Sequence, residues 1–62
     1  MNKSDTILII EDEMIIAANI SLQLTNLGFK VDGIITKSED VMPHLLVHIP
    51  DIILMDIKIK KK

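Results

Sequence analysis

Sixty-two residues with a formal net charge of −2, 48% hydrophobic content and no cysteine make one small domain at most. A chain of that length buries only about 60% of the surface its unfolded form exposes. The missing cysteines exclude disulfides and thiolate sites, and the aliphatic-rich composition, with Phe29 as the sole aromatic, argues against disorder. The mild acidity gives no reason to expect nucleic-acid binding. The start Met1-Asn2-Lys3-Ser4-Asp5 lacks the anatomy of a signal peptide, and no apolar run reaches membrane-spanning length. The expectation is a soluble cytoplasmic chain with no membrane contact.

In chain order, Thr6-Ile7-Leu8-Ile9-Ile10 is an uninterrupted apolar run that stops at Glu11-Asp12-Glu13. Such a run predicts a strand buried on both faces, with the acids at its carboxyl end. From about Glu13 to Leu27 the period becomes helical. Ile16, Ala17, Ile20, Leu24 and Leu27 share one face at about 100° per residue and should lie on a sheet. Ile15, Ala18 and Leu22 make a second, weaker apolar stripe that looks prepared for a neighbour. Glu13 in the first turn suits the helix dipole, and Gly28 suits a C′ position.

Phe29 to Ile35 returns to an extended pattern, but Lys30, Asp32 and Gly33 interrupt it, as on an edge strand. A turn at Thr36-Lys37-Ser38 leads into a second helix over Glu39 to His48. Thr36 with Glu39 matches a capping box, and Ser38 is an equally good N-cap. Val41, Leu45, Leu46 and Ile49 are its expected buried face, and Pro43 predicts a short or bent helix. Finally, Pro50 opens Asp51-Ile52-Ile53-Leu54-Met55-Asp56, a second buried-strand pattern bounded by carboxylates.

Strand, helix, strand, helix, strand with right-handed crossovers defines an open parallel α/β sheet in three layers. With the two apolar strands adjacent and the mixed one peripheral, the order is 2-1-3. The first and third strands then meet at a topological switch point, where such sheets bind ligands. Glu11, Asp12 and Asp56 fall at that edge, on neighbouring strands about 4.8 Å apart. Carboxylates so close repel unless a cation is present, and hard oxygen donors with open positions suit Mg²⁺ or Mn²⁺ better than zinc. One carboxylate can then act as nucleophile toward a phosphoryl group. The plainer alternatives stand beside this: solvated loop acids, or Asp12 as N-cap of the first helix. Asp51 reads as a solvated strand entry. His44 and His48, four apart, read as surface or partly packed residues with no third ligand in register, and Met14, Met42 and Met55 as core filler.

The string Ile7-Leu8-Ile9-Ile10-Glu11-Asp12-Glu13, a helix ending Leu27-Gly28-Phe29, and Pro50 through Asp56 together resemble the first half of a response regulator receiver domain of two-component signalling. Each piece is weak alone; the combination is specific and spans essentially the whole chain. The resemblance implies a flavodoxin-like fold and makes residues 1–62 an incomplete receiver domain. It further implies that Asp56 accepts a phosphoryl group from the phosphohistidine of a sensor histidine kinase or phosphotransfer protein. Glu11 and Asp12 then match the acidic pair that binds Mg²⁺, and Lys58 the position whose backbone carbonyl completes the metal site. The family's two further strands and three helices, with their switch Ser or Thr, invariant Lys and reporter aromatic, have no counterpart here. Lys60, Lys61 and Lys62 follow the third strand directly and read as a solvated tail.

The third strand, Ile52 to Met55, carries none of the features that protect an edge. The alternative expectation is therefore a non-catalytic fragment that pairs through that strand, with itself or with a complementary missing half. A small metal-dependent phosphatase fits less well, because it needs a second acid or a phosphate-binding loop close behind the first.

Overall fold

A computed structural model describes residues 4–56. Lys58, Lys60, Lys61 and Lys62 lie outside the described residues. The element order is β1 (Thr6–Glu11), α1 (Met14–Asn26), β2 (Lys30–Ile35), a short 3₁₀ turn (Ser38–Asp40), α2 (Val41–Val47) and β3 (Ile52–Asp56). The sheet is parallel in the order β2-β1-β3, as the sequence pattern predicts, and its topology is of the flavodoxin-like three-layer kind. Among the described residues no helix is long and apolar enough to cross a membrane.

β1 is central, and its apolar side chains are buried on both faces of the sheet. Ile7 and Ile9 pack with Ala17, Ile20, Leu24, Phe29, Val31, Ile34 and Ile52 on the α1 side. Leu8 and Ile10 pack with Ile35, Val41 and Leu45 on the α2 side. Leu8 and Ile9 have no exposed surface. Thr6 and Asp51 close the amino end of the β1–β3 pair. The Asp51 carboxylate accepts the Thr6 amide at 2.8 Å and its hydroxyl at 3.2 Å, while the Asp51 amide donates to the Thr6 carbonyl at 3.0 Å. Asp51, expected to be merely solvated, is a clasp.

α1 ends as its sequence requires. The Phe29 amide donates to the Leu24 carbonyl and the Gly28 amide to Thr25, both at 3.0 Å, which is a Schellman motif. Gly28 has φ 95°, a conformation a Cβ would penalise. At the other end Glu13, not Asp12, is the N-cap, and it makes no side-chain cap bond. The Glu13 amide instead donates to Glu11 Oε1 at 3.1 Å, so the preceding strand satisfies this orphan donor.

β2 departs from simple alternation. Ile7 pairs with Val31 but Leu8 pairs with Gly33, so Asp32 is the extra residue of a bulge. The bulge resets the phase: Val31 and Ile34, three apart, both face α1, while Gly33 and Ile35 face α2.

The second helical segment begins as a 3₁₀ turn, and α2 itself is short, as expected. Pro43 occupies the third position of α2, where its absent N–H has no helical partner to lose, so the helix need not break there. Neither Thr36 nor Ser38 supplies a side-chain cap, because the chain enters α2 through the 3₁₀ turn and Asp40 becomes the N-cap residue. Leu46 and Ile49 are exposed rather than buried: Leu46 points away from the sheet, and at His48 the backbone has already turned extended. Leu27 and the methionines Met14, Met42 and Met55 are exposed too, so they do not fill the core. The first two of these methionines lie on helices and the third on β3, where Ile52 alone of the apolar residues is half-buried.

Candidate functional site at the carboxyl edge of the sheet

The last residues of β1 and β3 are register partners, Glu11 opposite Asp56. Asp12 follows directly, exposed, in the connection to α1, and Asp56 is also exposed. Glu11 is different. It has no exposed surface, its Oε1 receives the Glu13 amide, and its Oε2 is buried with no hydrogen-bond partner.

The surroundings of Glu11 push its carboxyl above the usual range. The Asp12 carboxyl contributes most, then burial, with Asp56 adding to both; the Glu13 amide opposes them. The sheet thus brings Glu11 and Asp56 together with Asp12 beside them. Among the described residues, however, no group of three or more His, Cys, Asp or Glu side chains is arranged to hold a metal ion. Lys58 lies outside the described residues.

Beside Asp12, on the α2 side of the same edge, is a cavity of about 320 Å³ lined by Ile10, Asp12, Thr36, Ser38, Val41 and Met55. Its lining combines the apolar side chains of Ile10, Val41 and Met55 with one carboxylate and two hydroxyls. Sequence reasoning assigned Thr36 and Ser38 to helix capping. Their position just beyond the carboxyl end of the second strand is the signal that connects them with this edge.

A second cluster lies on β2 and α2. Asp32 Oδ2 is 2.9 Å from His44 Nε2, and Asp32 Oδ1 is 2.7 Å from His48 Nδ1. A carboxylate only accepts, so both imidazole nitrogens donate. The His44 hydrogen bond, helped by the charges of His48 and His44, holds the Asp32 carboxyl below the usual range against the cost of burial. The spacing of the two histidines was visible in sequence; their partner, on another element, was not.

No protein-family model, no curated protein and no solved structure matches the chain. Of the expected likeness, the small flavodoxin-like α/β architecture is what stands.

Proposed function

We propose that this chain is a non-catalytic interaction module that pairs through the free edge of β3, taking up a further strand from a second copy of itself or from a complementary α/β fragment. The condition of β3 carries this reading. Among the described residues it is hydrogen-bonded to β1 alone, in unbroken register, and Ile53, Leu54 and Met55 are exposed on its two faces. An edge strand that is apolar, unbulged and free of lysine is a template for another strand. Ile15 and Leu22 on α1 and Leu46 and Val47 on α2 are further apolar side chains left exposed.

Light scattering over a concentration series tests it. The parent chain is expected to associate, and Met55→Lys to weaken association by about tenfold or more, since a charge must then be buried at the contact. A chain that stays monomeric throughout overturns self-pairing and leaves the complementary fragment as the occupant.

A second reading is favoured by the unpartnered Glu11 Oε2 and the Glu11–Asp56 register. Here the chain is a phosphoacceptor receiver module of a phosphorelay. An Asp56 carboxylate oxygen attacks the phosphorus of a phosphohistidine on a sensor histidine kinase or phosphotransfer protein; the histidine nitrogen leaves and an acyl phosphate remains. Glu11, Asp12, Asp56 and the Lys58 carbonyl would hold Mg²⁺, or Mn²⁺ in its place, which supplies charge compensation for carboxylates and phosphoryl oxygens. Intact mass after exposure to Mg²⁺ and acetyl phosphate checks this reading. One added phosphoryl group that disappears in Asp56→Asn is its expected outcome, and no adduct on the parent chain overturns it.

A further inference from the structure

The Asp32 cluster stands apart from both readings above. Its carboxylate is nearly enclosed, with 8% of the side chain exposed, and each oxygen is taken by a different imidazole. Those imidazoles sit at the carboxyl end of α2, where His44 belongs to the last turn and His48 is the C-cap. α2 needs an anchor there. It has seven residues, only Val41 and Leu45 pack against the buried cluster, and Met42, Leu46 and Val47 are exposed. The bulge in β2 supplies the space: Gly33 presents no side chain, and His44 Cε1 would lie 3.1 Å from a Cβ placed there.

We propose that Asp32, His44 and His48 form a proton-operated clamp that fixes the carboxyl end of α2 to β2, closed while Asp32 is ionised and released when acid protonates it. An ionised Asp32 accepts from both rings at once. A proton on one oxygen converts it into a donor facing a donor, so that contact is lost, and the contact of the other oxygen loses its charge assistance and weakens.

The titratable groups acting on the carboxylate are His44 and His48. Leu8 of β1, uncharged, lies beside the neighbouring Gly33. Lys30, two residues earlier on β2, is exposed. Because the Asp32 carboxyl is held below its ordinary range, the clamp's contribution is present above about pH 4, the unfolded aspartate value. It fades as pH falls through the lower folded value. The consequence extends beyond the clamp, since α2 carries Val41, which lines the cavity at the carboxyl edge.

Amide hydrogen exchange by NMR, with EDTA present to remove stray metal, tests the proposal in the full chain. At pH 6 the amides of Leu45, Val47 and His48 are expected to exchange about tenfold or more faster in Asp32→Asn than in the parent. The amides of Leu8 and Ile9 should change less. In strong acid, below the folded Asp32 value, the parent should lose that extra protection and the two proteins converge. Equal exchange at pH 6, or a ratio that persists unchanged in acid, overturns the clamp. Should Asp32→Asn fail to fold, His48→Gln, at the more exposed ring, is the second variant; it should show a smaller acceleration confined to the end of α2, and no acceleration overturns the proposal.

Discussion

At Glu11 a carboxyl group lies wholly buried at the end of the central strand, one oxygen satisfied by the Glu13 amide and the other by nothing. Such a group costs stability whenever it is charged. Its raised pKa gives the sign: folding favours the protonated form, so its contribution is fully favourable below the unfolded glutamate value near pH 4 and is lost as pH rises through the folded value. Replacing Glu11 by Gln keeps the acceptor for the Glu13 amide and removes the charge. The variant should melt at a higher temperature than the parent at pH 7, and the gap should close as pH falls below about 4. Equal melting temperatures at pH 7 would show that the burial of this carboxylate is cheap. Asp51 shows the opposite case, an exposed acid whose hydrogen bonds to Thr6 give it a structural role.

Among the elements, β2 is the one whose composition and placement explain each other. Its polar interruption at Asp32-Gly33 is a bulge that re-aims Ile34 and Ile35 and opens room for His44. Gly33→Ala sets two effects against each other. Reduced freedom of the unfolded chain stabilises by about 0.4–1 kcal/mol, whereas overpacking costs about 1–3 kcal/mol. The 3.1 Å approach can be relieved only by moving His44, and that ring is bonded to Asp32. The clash should win, with a net loss of about 1 kcal/mol in urea unfolding, and adding His44→Ala should remove the extra penalty of the alanine. A Gly33→Ala protein as stable as its parent would mean that the ring moves freely.

Across the whole molecule the two helices cover the sheet unevenly. α1 lies over β1 and β2, α2 reaches the other face through Val41 and Leu45, and β3 keeps exposed apolar side chains on both faces. A chain this small has little stability in reserve, so any partner that covers β3 should stabilise the fold by mass action. If copies of the chain supply that cover, the melting temperature should rise with protein concentration, by roughly several degrees for each tenfold increase. Met55→Lys should flatten the dependence. A melting temperature independent of concentration would count against pairing between copies.

The order of elements and the C′ role of Gly28 were legible in the amino-acid sequence, and the 2-1-3 strand order was legible with help from the family resemblance. The elements are set by local patterns, continuous apolar runs for the buried strands and a helical stripe ending in glycine, while the strand order rests on the two apolar runs being neighbours and on a crossover handedness that is nearly invariant. The same runs place Glu11 and Asp56 at one edge, because parallel neighbouring strands run toward the same edge of the sheet. What the sequence could not decide depended on contacts between residues far apart in the chain. Whether Glu11 is buried and half-satisfied, whether Asp51 clasps Thr6, and whether Asp32 reaches two histidines on a helix 12 and 16 positions away are consequences of packing distance. The bulge belongs there too, since a register shift exists only relative to a paired strand. So does the exposure of Met14, Met42, Met55 and Leu46: hydrophobicity says that a side chain gains by burial, and only the tertiary structure determines whether a surface is there to cover it.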